Sequence, residues 1–165
     1  MPEALSAPIA YEAFIYNLPQ AYPSIRRSTL VYIPSGELFG RLEGMLFFDQ
    51  NVVLCVQEFL NFELGVIEGY GYEVSHPHIT YERVALLTPS EYCKASFPSK
   101  EKLYWYDSFP HPHVQSLAST HPHHKHIHPG IKHNRIPAPG LSFTVPNLPF
   151  LINEIVQELL ANLQS

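Results

Sequence analysis

From Arg26 to Phe109 the chain is a succession of short apolar segments, rich in β-branched and aromatic residues and punctuated by Gly, Pro, Asn and Asp, the pattern of strands joined by turns. "RRSTLVYIP" and "GELFGRLEGMLFF" flank the turn signal Pro34-Ser35-Gly36 and read as two strands. "FFDQNVVLCVQEF" reads as a hairpin that turns at Asp49-Gln50-Asn51. "LGVIEGYGYEVSH" and "HITYERVALL" continue the strand pattern, and Gly65, Gly69 and Gly71 mark bulges or close backbone approach. "TPSEYCKASFPSKE" reads as an exposed loop with one helical turn, and "KLYWYDSF" as a further short strand. The prolines and histidines from Pro110 to Pro139 leave no regular structure of any length, so that stretch is a loop.

Helical spacing is confined to the two ends. In "APIAYEAFIYNLPQAYPSI", Pro19 and Pro23 limit a helix to about residues 8 to 18. In "NLPFLINEIVQELLANLQS", Leu148, Leu151, Ile152, Ile155, Leu159 and Leu163 recur at helical intervals. With Asn147 as N-cap and Pro149 in the first turn, an amphipathic helix of about 15 residues is predicted to cover one face of the sheet. The expected architecture is α+β, an antiparallel β-sheet with the C-terminal amphipathic helix packed on one face. A chain of 165 residues that is 45% hydrophobic fits a single domain, residues 1–165, with a His/Pro-rich basic loop at 108–140 inside it.

Two cysteines form no CxxC pair, and Cys55 sits in the apolar run "VVLCV", where a reduced thiol acts as a small hydrophobe. This usage points to a reducing, cytoplasmic setting. The start, "MPEALSAPIA", lacks the features of an export signal, and no apolar run approaches the roughly 18 residues of a membrane span.

Charge changes the picture. The formal net charge is -5, yet 13 of the 15 acids lie between Glu3 and Asp107, and none falls from Ser108 to Asn153. That acid-free stretch holds Lys125, Lys132, Arg135 and eight of the ten histidines, so it seeks anions. Within "HPHHKHIHPG", an extended backbone projects His124, His126 and His128 from one side and His123 and Lys125 from the other. Neutral imidazoles at alternating positions chelate Zn²⁺ or a similar divalent metal, with Asp107, Glu58 or Glu43 able to complete the shell. The same segment offers a proton acceptor, a permanent cation and a proton donor for phosphate chemistry in His124, Lys125 and His126. Both chemistries stay open, beside a loop with neither.

Acidic partners come from the strands. If the hairpin pairs Phe48 with Val53, Glu43 lies across from Glu58; if it pairs Phe48 with Val52, Glu58 faces Leu42. Glu58 follows Leu54 and Val56 on the apolar face and needs a partner there, whereas Glu43 beside Arg41 reads as solvent-facing. Asp107 ends an aromatic strand, where it can orient an imidazole or make a local Asx-turn.

The order "GRLEGMLFFDQNVVLCVQEF", "YGYEV", "LYWYDSFPHPH" and "THPHHKHIHP" resembles the TumE-like family of bacterial toxin–antitoxin toxins. Its pattern matches here at Glu58, Tyr70, Tyr72, Asp107, Pro110, His111, Pro122, His123, His124, Lys125 and His126. Two departures are Ser108, where the family commonly has Asn, and a longer connection from Glu73 to Lys102. The resemblance implies a small cytoplasmic protein paired with a DNA-binding antitoxin. The family leaves the target chemistry undefined; the cationic His/Lys loop itself suggests action on nucleic acid by His/Lys-dependent phosphodiester cleavage, with Glu58, Asp107, His111, His124, Lys125 and His126 as catalytic candidates. Tyr70, Tyr72, Lys132 and Arg135 are the candidate nucleic-acid contacts, by stacking and by charge. The alternative is a non-catalytic protein that binds metal or an acidic partner through the loop, and a homodimer is compatible with either.

Overall fold

A computed structural model describes residues 3–93 and 100–160. The N-terminus forms α1 (Pro8–Tyr16), within the predicted limits, and after Asn17 a second turn, α2 (Leu18–Ala21), which runs past them because Pro19 sits in its first turn, where proline is tolerated. Five strands follow: β1 (Ile25–Ser28), β2 (Val31–Pro34), β3 (Phe39–Phe48), β4 (Val52–Asn61) and β5 (Val66–Pro77). After α3 (Tyr81–Leu86) and α4 (Pro89–Cys93) come β6 (Lys100–Asp107), β7 (His124–His126), β8 (Arg135–Pro137) and α5 (Leu148–Ile155). The strands form one antiparallel sheet in the order β1-β3-β4-β5-β6-β7-β8, with β2 also on β3. The α+β architecture read from the sequence is the one observed.

"RRSTLVYIP" is two strands rather than one, both lying along β3. The break passes over Gly44, whose φ is +144°, and a Cβ there would sit 2.6 Å from the Thr29 carbonyl oxygen, so only glycine admits the crossing. The β3–β4 hairpin turns through Gln50 and Asn51, both with positive φ, and its register pairs Phe48 with Val52. Of the two registers, this is the one that sets Glu58 opposite Leu42 and Glu43 opposite Gln57.

Three expectations are corrected. "HITYERVALL" is not a strand: Thr80 caps α3 by accepting the Arg83 N–H, and Glu82 in the first turn complements the helix dipole. The segment from Pro110 to Pro139 contains a 3-10 turn at Gln115–Thr120 and two three-residue strands that extend the sheet. The cysteines are not separate thiols, because Cys55 and Cys93 form a disulfide that ties α4 to β4. Cysteine usage therefore gives no support to a reducing compartment. No helix among the described residues is long and apolar enough to cross a membrane.

Strand alternation gives the sheet two faces. On one, Leu42, Leu46, Leu54, Val56, Tyr72 and Val74 pack beneath α1 and α5, which contribute Tyr11, Ile15, Leu148, Leu151, Ile152 and Ile155. On the other, Met45, Phe47, Val53 and Cys55 meet Val84 of α3 and Tyr92 of α4. The C-terminal helix is shorter than predicted and runs on as a wider π-turn over Val156–Leu160; Leu163 lies outside the described residues. Asn147 does not cap it. Its side chain accepts the Ser142 N–H and donates to the Ser142 carbonyl and to Tyr72 Oη.

Under α1, Glu58 is fully buried, and both of its oxygens accept tyrosine hydroxyls, from Tyr11 and from Tyr72. Burial raises its carboxyl from the ordinary 4.5 to about 6, against the pull of the two tyrosines. The folded state thus holds this proton more tightly than the unfolded chain. The resulting stabilisation is complete below about pH 4.5 and lost as pH rises through about 6, a change of roughly 2 kcal/mol. Denaturant unfolding of wild type and Glu58→Gln between these pH values is expected to give curves whose difference follows that loss; parallel curves would refute it.

Candidate functional site

The site is built where β7 joins β6. Its register pairs Trp105 with His126, Tyr106 with Lys125 and Asp107 with His124. Alternation therefore puts Trp105, Asp107, His124 and His126 on one face and Lys125 on the other. Thr120 braces the entry to β7, donating its hydroxyl to the His123 carbonyl and accepting the Ala138 N–H.

His124 and His126 are buried, and Asp107 is half-buried. Each histidine donates Nδ1–H to a backbone carbonyl: His124 to Pro122 at 3.0 Å and His126 to Ile131 at 2.9 Å. Both Nε2 atoms consequently point at Asp107, His124 at 2.9 Å from Oδ1 and His126 at 3.3 Å from Oδ2. The two Nε2 atoms are 3.2 Å apart. Burial works to raise the Asp107 carboxyl, but hydrogen bonds from the two rings in their protonated form and from the Phe109 N–H outweigh it and hold the group well below the usual carboxylate range, whereas each neutral ring faces it with an Nε2 lone pair. Trp105 braces two members at once: its ring stacks on His126 with centroids 4.1 Å apart, and its Nε1–H donates to Asp107 Oδ2 at 3.2 Å. Two imidazole nitrogens and one carboxylate, converging this closely, are a donor set for a divalent cation.

Two further groups border the cluster. His111 lies edge-on to His124, with ring centroids 4.9 Å apart. Its pKa is lowered by burial and then by the charge of Arg135. Arg135 pairs with His126 across β7 and β8, and its Nε is buried without a hydrogen-bond partner among the described residues. Gly71 is Asp107's partner in β5, and a Cβ added there would meet nothing within 4 Å, so the floor beside the carboxylate is open.

The remaining sequence candidates lie elsewhere. Glu58 and Tyr70, paired across β4 and β5, and Tyr72 belong to the helix-covered face, so the sheet backbone separates them from Asp107. Tyr70 and Tyr72 are core residues, and Tyr70 is already stacked on Tyr72 and His123, so they are not open stacking surfaces for bases. Glu43 pairs with Arg41, as its position suggested. His128 is exposed and donates Nε2–H to the Lys102 carbonyl, so Asp107 takes the third place that alternation alone gave to His128. Lys132 is exposed on the turn between β7 and β8. Trp105 went unselected, although its position two residues before Asp107 on one strand already put both on one face.

The family model described as Toxin TumE matches residues 16–159. The chain belongs to that family, toxins of toxin–antitoxin systems, and membership implies an antitoxin partner. No curated protein and no solved structure matches.

Lys125 packs its ammonium 4.2 Å from the Tyr104 ring centre and 3.3 Å from Glu154 Oε2, which also accepts the Tyr106 hydroxyl. Lys125→Met leaves Glu154 without its cation in a poorly hydrated setting and is expected to lower stability by about 3 kcal/mol. Adding Glu154→Gln should restore most of the loss in denaturant titrations. An unchanged stability in the single variant would contradict a structural role for Lys125.

Proposed function

We propose that this toxin cleaves phosphodiester bonds in nucleic acid at the Asp107–His124–His126 cluster, and that its antitoxin is a DNA-binding protein. The observation that carries the reading is the convergence of two carbonyl-fixed imidazoles and a carboxylate on the face that also receives Arg135, whose buried Nε has no hydrogen-bond partner among the described residues. A phosphate supplies what that guanidinium lacks. Its non-bridging oxygens accept from Arg135, and its phosphorus lies over the cluster. Attack by water forms a P–O bond as the bond to the leaving ester oxygen breaks. His111, half-exposed at the rim, takes the water's proton, and solvent protonates the leaving oxygen. The open floor at Gly71 gives a strand room to lie across the sheet, and Lys132 adds a backbone contact nearby.

His126 is not an exposed loop residue, so its truncation mixes folding with chemistry. Asp107→Asn is the cleaner variant. It is expected to abolish growth arrest and to slow cleavage of a single-stranded oligonucleotide by about 10²- to 10⁴-fold, with thermal unfolding nearly unchanged. Arg135→Gln should weaken oligonucleotide binding and reduce its salt dependence by about one phosphate contact. A folded Asp107→Asn protein as toxic and as active as wild type would overturn the reading.

A further inference from the structure

We infer that Asp107, His124 and His126 bind one divalent transition-metal cation through Asp107 Oδ, His124 Nε2 and His126 Nε2, with its remaining positions open towards the substrate. The inference deepens the reading of this cluster as a phosphodiesterase centre, but it stands on geometry of its own.

The first support is spacing. Metal–ligand bonds of about 2.1 Å place neighbouring donors about 3.0 Å apart at a right angle and about 3.4 Å apart at the tetrahedral angle. Here His124 Nε2 lies 2.9 Å from Asp107 Oδ1, His126 Nε2 lies 3.3 Å from Oδ2 and the two nitrogens are 3.2 Å apart, so each imidazole meets its own carboxylate oxygen near that range, and one ligand atom from each residue lies within 4.8 Å of the others. The second is proton inventory. With both Nδ1–H groups committed to the carbonyls of Pro122 and Ile131, each Nε2 turns a lone pair towards the other and towards a carboxylate. Three acceptors facing one another need a positive occupant between them, and one cation satisfies all three at once. The third is support around the ligands. Each liganding imidazole has its other nitrogen fixed, Trp105 Nε1–H holds Asp107, and the Trp105 ring stacks on His126.

Two imidazoles and one carboxylate suit Zn²⁺, Fe²⁺, Ni²⁺ or Mn²⁺ and disfavour Mg²⁺ and Ca²⁺, which prefer oxygen shells. The protein supplies three ligands, so exchangeable positions remain beside Arg135 and His111. A cation there polarises a phosphoryl oxygen while Arg135 neutralises its neighbour. Trp105 is a positioning residue in this scheme, touching the ligands and not the metal.

The test is calorimetric titration of Zn²⁺ into the full chain after chelator dialysis, with Mg²⁺ in parallel. One Zn²⁺ per chain is expected, with Mg²⁺ binding far more weakly. Asp107→Asn and His124→Asn should each lose the stoichiometric site, and Trp105→Phe should weaken it about 10- to 100-fold while thermal unfolding without metal changes little. Zn²⁺ uptake unchanged in Asp107→Asn would assign binding to the other histidines and overturn the inference. Undiminished cleavage by chelator-dialysed protein that takes up no stoichiometric Zn²⁺ would also overturn it, leaving the phosphodiesterase reading intact. A stoichiometric site in a protein that cleaves nothing with or without metal would uphold the inference and sink that reading.

Discussion

The alternation of side chains along three residues, His124, Lys125 and His126, is the constraint on which the rest depends. Once β7 hydrogen-bonds to β6 with His124 opposite Asp107, one face of the sheet receives two imidazoles and the other receives an ammonium. A slip of one residue would bury Lys125 against Asp107 and turn both histidines under α5. Trp105 and Glu154 fix the choice from opposite faces, one by stacking on His126 and the other by pairing with Lys125.

The sheet therefore keeps two polar groups beneath the helices apart from a third on the opposite face. Glu58, Tyr11, Tyr72 and Asn147 form a closed network beneath the helices, in which each carboxylate oxygen accepts a tyrosine hydroxyl. Lys125, Glu154 and Tyr106 form a second group under α5. Across the sheet, Asp107, His124 and His126 sit beside the open backbone of Gly71. The closed networks position strands, whereas the cluster on the open face can meet a ligand. Farther along that face, α3 and α4 cover the sheet through Val84 and Tyr92, and the Cys55–Cys93 link holds α4 there.

What the sequence made legible was what local pattern controls. The Asp49-Gln50-Asn51 turn, the long central strands and the C-terminal helix follow from turn residues and periodicity, and all are present. α3 was misread because Ile79, Thr80 and Tyr81 look like strand until Thr80 is seen as a cap. The grouping of His124 with His126 was readable from spacing. That Asp107 and not Glu58 joins them depends on registers accumulated across β4, β5, β6 and β7, which no local signal sets. The disulfide likewise depends on where α4 docks, 38 residues along the chain from Cys55.

The claim most exposed to measurement is that both buried histidines keep Nδ1–H on backbone carbonyls and present Nε2 to one shared cation. Nitrogen NMR of histidine-labelled protein loaded with isotopic cadmium reads this atom by atom. The account predicts one-bond metal–nitrogen coupling at Nε2 of His124 and His126, with protons retained on both Nδ1 atoms. Coupling at Nδ1 of either ring, or coupling that appears instead on the exposed His113, His121 or His128, would contradict it.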